Sequence, residues 1–331
     1  MTVDPLFVPA CLASRLDAPD PRQDASTKRA ARSELLAELS LVHLYTAACL
    51  YQWDRLPSLA GQVHAHTTPD GDPTARVQAA VRHMVVFCGY GPCLAAMTAL
   101  KKVDKTMLQR TIPYDTPGKV SSFASSGLPP VCRELDHADS VPKRPATNDT
   151  VQTNEPCGNN AGNAFQLVYS SLSPKVRNTV YQADPVLENW IQNHLYGDVY
   201  SSPGLSMLSK QHLTIAGLVK SNMMDQLYGH ALAALRFGGD PDVLKGIVDI
   251  VVWWQNKVNV TEDDDEDRDE EKKDGTGRAF RAFERRGTKS KRVIDMALAK
   301  YLRMKEEGDV DTNDVLINPP GTVCIPAFDS V

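Results

Sequence analysis

Apolar residues recur at helical spacing through most of the chain. Between residues 35 and 46 they return every three or four positions, the spacing of one face of a helix. Three Asp-Pro pairs stand just before further stretches of this kind, and aspartate as N-cap followed by proline in the first turn is a typical helix start. We find no run with the alternation typical of strands, so the pattern predicts an all-α protein. The pairs are Asp72-Pro73, Asp184-Pro185 and Asp240-Pro241.

Breaks in this pattern divide the chain. Prolines concentrate near the N-terminus and in the middle of the sequence, and the tract from 262 to 274 is nearly all charged, which prevents it from burying apolar surface. We therefore predict two helical units joined by irregular segments. The predicted divisions are an irregular arm (1–25), a first helical unit (26–103), a Pro-rich linker (104–160), a second helical unit (161–258), an acidic linker (259–277), and a C-terminal extension with a basic helix and tail (278–331).

The two helical units resemble one another in the order of their features. Trp53-Asp54-Arg55-Leu56 aligns with Met224-Asp225-Gln226-Leu227. Gly71-Asp72-Pro73 then aligns with Gly239-Asp240-Pro241, and the turn between the two motifs is three residues shorter in the second unit. Each unit is amphipathic and would expose an apolar face alone. We expect a duplication whose two copies pack on one another.

The composition says more about the partners and cellular compartment of the protein than about any reaction it catalyses. The 331 residues carry a formal net charge of -5, which gives no general argument for binding nucleic acid or an anionic membrane. Seven cysteines without a repeating framework favour a reducing compartment. The first 25 residues lack the apolar run of a secretory signal, so we expect a protein of the cytosol or the mitochondrial matrix that is not secreted and spans no membrane.

We predict neither a cofactor nor a metal site. The chain has no Gly-rich phosphate loop, and the His64-Ala65-His66 motif has no neighbouring ligands that would complete a metal shell. Cys88 and Cys93 are separated by four residues, a spacing that fits neither a Cys-x-x-Cys redox pair nor a usual zinc knuckle. We interpret these two cysteines as structural.

Several motifs of the second unit resemble the carboxymuconolactone decarboxylase and alkylhydroperoxidase D-like superfamily, over roughly 174–254. In the first unit, the turn 86–92 resembles the aromatic-Gly-aromatic-Pro turn of that family. The resemblance implies a duplicated helical bundle of this type, and it implies assembly into homo-oligomers, often trimers or larger rings. The motifs are Tyr196-Gly197-Asp198-Val199-Tyr200, Pro203-Gly204-Leu205, Leu213-Thr214-Ile215-Ala216 and Asp225-Gln226-Leu227-Tyr228-Gly229-His230.

The same resemblance implies which residues would be catalytic. The peroxidase branch uses a glutamate, a Cys-x-His-Cys element and a further histidine, and only the last is retained here, as His230. In the first copy the glutamate and last-histidine positions hold Ser40 and Leu59, which do not titrate. A thioether and an amide cannot replace two redox thiols. The other aligned positions hold Gln211, Met223, Asp225 and Gln226.

Two hypotheses follow for this site. The first is a catalytically degenerate protein that serves as a scaffold or as a subunit of a larger assembly, in which His230 is a buried structural histidine. The alternative is a cysteine-independent decarboxylase or lactone-processing enzyme in which His230 exchanges protons, with Gln211 and Asp225 nearby. Gln226, four residues before His230 on the same helix, could orient the ring. His212 faces another side of its helix and is the weaker candidate.

A basic segment near the C-terminus offers a third, weaker hypothesis. Seven cations surround two phenylalanines between 278 and 292, a combination that can bind RNA or an anionic protein surface. A solvated helix, or pairing with the acidic tract just before it, is the favoured interpretation. The candidate partner-binding residues are Arg278, Arg281, Arg285, Arg286, Lys289, Lys291 and Arg292.

Overall fold

The computed structural model describes residues 7–17, 24–68, 71–103, 161–261 and 273–308. Within these ranges the chain is helical and forms no strand, which confirms the all-α prediction. None of the helices in these ranges is long and apolar enough to cross a membrane.

The α-helices of the described ranges are numbered here in chain order. Two 3₁₀ turns, Trp53–Arg55 and Ser170–Leu172, and one π-helix, Ile191–Val199, lie between them. The α-helices are α1 (Ala10–Asp17), α2 (Ala25–Cys49), α3 (Leu56–His66), α4 (Pro73–His83), α5 (Val85–Cys88), α6 (Tyr90–Val103), α7 (Ala161–Tyr169), α8 (Ser173–Ala183), α9 (Pro185–Trp190), α10 (Met207–Lys220), α11 (Met224–Arg236), α12 (Pro241–Thr261) and α13 (Lys273–Glu306).

The three Asp-Pro helix starts are confirmed. The Asp72 carboxylate accepts a hydrogen bond from the Ala75 backbone N–H at 3.0 Å. Asp184 and Asp240 each accept from the N–H two residues further on, at 2.7 and 2.8 Å. In each case the following proline is the first helical residue, where its missing N–H leaves no intrahelical hydrogen bond unmade.

Two helices form the centre of the molecule. α2 packs against α3, α4 and α6, and also against α10 and α12. Every residue from 37 to 49 in α2 and from 209 to 219 in α10 is buried. Helices buried on all sides occur where other helices surround them, and one continuous apolar core joins Leu39 and Leu44 of α2 to Leu213 of α10 and Ile247 of α12.

A smaller group of helices covers one side of this core. α7 packs on α11 and on the π-helix, and α8 and α9 continue from it. Phe165 and Val168 of α7 meet Tyr196 and Tyr200 around the buried Ala233 of α11. This group therefore brings tyrosines next to α11, the helix that carries His230.

Two predicted irregular segments contain helix. The predicted arm, 1–25, includes α1, because Leu12 is fully buried where Gly246 of α12 leaves room for it. A Cβ atom at residue 246 would lie 2.7 Å from a Leu12 methyl carbon. The predicted acidic linker, 259–277, is helical at both ends, because α12 continues to Thr261 and α13 begins at Lys273.

Several predicted segments lie partly or wholly outside the described residues. The residues concerned are 1–6 and 18–23 of the arm, 69 and 70 of the first unit, the Pro-rich linker, 104–160, the centre of the acidic linker, 262–272, and the tail from 309 onward.

Candidate functional site

His230 lies on the inner face of α11, opposite α10. Its ring is buried, and Nδ1 is 2.8 Å from the Oε1 atom of Gln211 on α10. Because a carbonyl oxygen only accepts, this contact places the ring proton on Nδ1. Burial lowers the pKa of His230 to about 4, so the ring is neutral at pH 7.

Gln211 is itself incompletely paired. Its side chain is fully buried, and within the described residues its amide Nε2 has no hydrogen-bond partner. A buried amide N–H without a partner costs about 1–3 kcal/mol, so such groups in native proteins call for an explanation. The pair therefore presents an unused donor beside a neutral imidazole.

Three tyrosines form a wall beside this pair. The ring centroids of Tyr169 and Tyr200 lie 6.1 and 6.5 Å from the His230 ring. The Tyr196 ring is tilted against Tyr200 at 4.8 Å and edge-on to Tyr169 at 6.0 Å. The Tyr196 hydroxyl donates to the Tyr169 hydroxyl at 3.1 Å. Burial raises the pKa of all three phenols, which are therefore uncharged.

A second histidine reaches this wall from the first helical unit. His83, at the end of α4, places Nε2 2.9 Å from the Thr214 hydroxyl on α10, which also lies 2.6 Å from the Tyr200 hydroxyl. Burial, aided by the charge of Lys210, lowers the pKa of His83 to about 3. We call this assembly the tyrosine–histidine cluster; it consists of His83, Tyr169, Tyr196, Tyr200, Gln211, Thr214 and His230.

The loop that follows the π-helix is held in place by a buried lysine. The ammonium of Lys210 donates to the backbone carbonyls of Tyr200 and Ser202, the latter at 2.8 Å. Burial and the neighbouring charge of Arg82 lower the Lys210 pKa to about 8. Gly204 in this loop has a φ of +101° and approaches α4 closely, where a Cβ would meet a carbonyl oxygen at 2.8 Å.

Only two of the four predicted catalytic residues come together. Asp225 and Gln226 are exposed in the first turn of α11, whereas Gln211 and His230 form the buried hydrogen bond. Successive residues of an α-helix are about 100° apart around its axis. Leu227 faces the core, and Gln226, the residue before it, faces the solvent. The partner that orients His230 is therefore Gln211 and not Gln226.

The weaker candidate, His212, belongs to a different cluster. Its Nδ1 is 2.8 Å from Glu38 Oε1, and Arg76 and Ser209 donate to Glu38 Oε2 at 2.8 and 3.0 Å. Burial alone would raise the Glu38 pKa, but the hydrogen bond from His212 and the charges of His212 and Arg76 bring it down to about 2. Arg76 also pairs with Glu34 at 3.0 Å. We call these five residues the buried ion cluster.

The basic segment divides into inward and outward cations. Arg286 donates to the Lys220 carbonyl at 3.1 Å, and Lys291 pairs with Asp249 at 2.6 Å, so both tie α13 to the core. The side chain of Arg278 lies outside the described residues. Four cations on one face of α13 are exposed: Arg281, Arg285, Lys289 and Arg292.

Sequence alone pointed to His230 and Gln211 but missed most of the cluster around them. Tyr196 and Tyr200 stand in a recognisable motif, and their spacing of four could have placed both on one helical face. Nothing in the sequence links His83 or Tyr169 to this site.

No group of three or more His, Cys, Asp or Glu side chains in the described ranges is arranged to hold a metal ion. In comparisons with known proteins, neither a protein-family model nor a curated protein matches this chain.

Proposed function

We propose that this protein is a duplicated, catalytically degenerate member of the carboxymuconolactone decarboxylase and alkylhydroperoxidase D-like superfamily. In this proposal it acts as a scaffold or subunit of a larger or homo-oligomeric assembly in the cytosol or the mitochondrial matrix. The observation that carries the scaffold role is an exposed apolar surface on α8 and α9, described below.

The packing of the helices supports the duplication. α3 and α4 pack on α2, and α11 and α12 pack on α10 in the same order; α6 and α13 then cover the respective pairs. Across the two units, α2 meets α12 and α10 meets α4, which are corresponding contacts. Glu38 and Ser209 are 171 positions apart, the offset of the aligned motifs, and they touch at 3.0 Å. Equivalent residues meet in this way at a twofold axis.

The state of the His230 site supports the loss of the family's chemistry. At the two positions where the peroxidase branch has thiols stand Met223 and Gln226, both exposed. The glutamate position holds Gln211, and His230 is neutral and nearly closed to solvent. The amide of Gln211 cannot act as a general acid or base near neutral pH. The pair therefore lacks the second titrating group that acid-base catalysis on a lactone requires.

The exposed surface of α8 and α9 supports a scaffold role. Large apolar side chains cluster on these two consecutive helices, and Trp190 is 63% exposed. Such patches on soluble proteins mark sites of protein contact, because leaving them in water is unfavourable. The patch consists of Tyr181, Val186, Leu187 and Trp190, which we call the α8–α9 patch.

Light scattering of the native protein tests the proposal. We expect an assembly larger than one chain, and we expect Leu187→Glu combined with Trp190→Glu to release monomers that remain helical by circular dichroism. Met296→Glu is the matched control, because Met296 is also 63% exposed but lies away on α13. A monomeric wild-type protein, both in native extract and after purification, would contradict the scaffold role.

The unpaired amide of Gln211 favours the enzymatic alternative. A ligand carbonyl that accepted from Gln211 Nε2 would lie beside the neutral ring of His230, which could then exchange a proton with it. We would test His230→Ala for turnover of a carboxymuconolactone and of an organic hydroperoxide, with Gln226→Ala as the exposed control. If the wild type and the control turn over either substrate and a folded His230→Ala variant does not, the scaffold hypothesis is wrong.

A further inference from the structure

Tyr90, His194 and Asp198 form a hydrogen-bonded chain of exposed side chains. The Tyr90 hydroxyl is 2.7 Å from His194 Nε2, and His194 Nδ1 is 3.2 Å from Asp198 Oδ2. Because a carboxylate only accepts, it fixes the ring proton on Nδ1 and leaves the lone pair of Nε2 to accept from the phenol. A carboxylate, an imidazole and a hydroxyl in this order are the arrangement of a nucleophile with a positioned general base. We call these three residues the Tyr90 triad.

The triad joins the two helical units. The imidazole and the carboxylate come from the π-helix Ile191–Val199, whereas the phenol comes from the first residue of α6. π-helical turns are rare and occur frequently at functional sites. Tyr90 and His194 are 104 positions apart in sequence, so only the packing of the two units brings them together.

The backbone around Tyr90 leaves its hydroxyl accessible. Tyr90 stands between two glycines, and Gly89 has a φ of +74°, which makes a sharp turn between α5 and α6. A Cβ atom at Gly89 or Gly91 would meet no heavy atom of another described segment within 4 Å. Tyr90 itself is 69% exposed. A substrate can therefore approach the phenol oxygen from the solvent, as it does where a nucleophile stands in a tight turn before a helix.

The first turn of α6 adds hydrogen-bond donors to the site. The first backbone N–H groups of a helix have no partner within that helix and form the positive end of its dipole. The N–H groups of Tyr90 and Gly91 occupy these positions. When a phenol oxygen attacks a carbonyl group, negative charge develops on the carbonyl oxygen, and donors of this kind stabilise it.

An apolar groove runs along α6 from the residue after Tyr90. It has a volume of about 460 Å³, and Trp53 lies on its other side. Leu94 and Thr98 follow Tyr90 at intervals of four residues, so all three lie on one side of α6. The groove is therefore placed to hold the apolar part of a substrate whose carbonyl group lies at Tyr90. Its lining residues are Trp53, Gly91, Leu94, Ala95, Thr98 and Ala99.

We propose that the Tyr90 triad is an acyl-transfer site that hydrolyses small esters with an apolar acyl group. Tyr90 is the nucleophile, His194 is the general base, and Asp198 positions the imidazole. The triad shares no residue with the tyrosine–histidine cluster or the α8–α9 patch. The proposal does not depend on the scaffold role.

The reaction proceeds in two balanced steps. The Tyr90 oxygen attacks the ester carbonyl while His194 Nε2 takes the phenol proton; the bond to the alcohol oxygen breaks, and the alcohol leaves with that proton. An acyl ester on Tyr90 remains. His194 then takes a proton from water, whose oxygen attacks the acyl carbon, and Tyr90 leaves and regains a proton from His194. The sum is one ester and one water converted to one acid and one alcohol.

Hydrolysis of 4-nitrophenyl butanoate by the full-length protein tests the proposal. We expect 4-nitrophenol to be released faster than in buffer alone. A sample quenched in acid should carry one butanoyl group on the tryptic peptide 83–101, which holds Tyr90. Fragment spectra must place the group on Tyr90, because Cys88 and Cys93 lie on the same peptide.

Variants of the two reacting residues should remove the activity. Tyr90→Phe should abolish both the adduct and the turnover, and His194→Gln should lower kcat/KM by about 100-fold because the general base is lost. Tyr181→Phe is the matched control, since Tyr181 is also exposed but lies on α8, and it should change neither readout. Circular dichroism checks that each variant is folded.

Two further variants separate positioning from substrate binding. Asp198→Asn should lower kcat with little change in KM, and Asp198→Glu should restore part of kcat, which a merely structural role would not produce. Ala95→Trp should fill the groove and raise the KM for the butanoate ester more than for the acetate ester. A folded wild type that releases 4-nitrophenol no faster than buffer, an adduct on a residue other than Tyr90, or equal turnover in Tyr90→Phe would overturn the proposal.

Discussion

The two buried polar clusters on α10 differ in charge. Within the described residues each has one buried nitrogen without a hydrogen-bond partner, His212 Nε2 in the buried ion cluster and Gln211 Nε2 in the tyrosine–histidine cluster. In the buried ion cluster, Glu38 is charged and receives hydrogen bonds from Arg76, Ser209 and His212. In the tyrosine–histidine cluster the titratable groups are neutral, and the amide of Gln211 lacks a partner. A charge survives burial only when it is paired, whereas a neutral group can stay partly unpaired at moderate cost. The first arrangement is typical of a structural joint, and the second presents an unused hydrogen-bond donor beside a neutral imidazole.

The largest effect should come from breaking the charged cluster. Arg76→Ala leaves the Glu38 carboxylate buried with one counter-charge fewer, and we expect the free energy of unfolding to fall by about 3–5 kcal/mol in urea titrations. Arg55→Ala is the control, because Arg55 pairs with Asp54 at the surface and should change stability by about 0–1 kcal/mol. Equal losses in the two variants would show that burial of the cluster contributes nothing.

Acid should weaken the neutral cluster first. The pKa of His230 is about 4 in the folded protein, below its ordinary 6.5, so the unfolded chain binds the proton more readily. The stability that this difference provides is complete above pH 6.5 and is lost as the pH falls towards 4, by roughly 3 kcal/mol. The folded-state pKa of His83 is about 3, so its contribution to stability is also lost as the pH falls below 6.5. Unfolding free energies of His230→Asn and wild type, measured from pH 7 to 4, should therefore converge.

Acid should weaken the charged cluster only at lower pH. The folded Glu38 pKa of about 2 lies below the ordinary 4.5, so its contribution is complete above pH 4.5 and is lost as the pH falls towards 2. Glu38→Gln should flatten the pH profile of unfolding in that lower window. If Glu38→Gln changed the pH profile of unfolding only above pH 4.5, the expectation that the charged cluster weakens at lower pH would be wrong.

A hydroxyl shared within the neutral cluster should matter less than Arg76. Thr214→Val keeps the side-chain shape but removes the partner of both Tyr200 and His83, and we expect a loss of about 2 kcal/mol. Thr288→Val on α13 is the control, since that hydroxyl is exposed and bonds only within its own helix turn. Differential scanning calorimetry of the two variants measures the difference.

The smallest effects should come from the exposed cations of α13. Single replacements by alanine at Arg281, Arg285, Lys289 or Arg292 should change stability by less than about 0.5 kcal/mol, because these side chains are exposed on one face. The same variants test the RNA hypothesis. If the segment binds RNA, each replacement should lower the salt slope of binding by about 0.7. Absent or salt-insensitive binding would exclude the hypothesis.

Several features of the fold follow from local sequence. The Asp-Pro pairs start helices because aspartate satisfies the first backbone N–H groups and proline needs no donor there. The resemblance of the second unit's motifs to a known superfamily placed Gln211 and His230 among the candidates, and they are hydrogen-bonded in the structure. Local patterns did not reveal α1, because it is stabilised by Leu12 packing against the distant Gly246.

What the sequence by itself determined is the helical character, the start of several helices and the order of features in two similar units. These depend on interactions within a few residues, which spacing and capping reveal. Only the tertiary structure decided that Glu38 meets His212 and that His83 reaches Thr214. These partners are far apart in sequence, and it is the burial of α2 and α10 against each other that brings their polar side chains together and sets their pKa values.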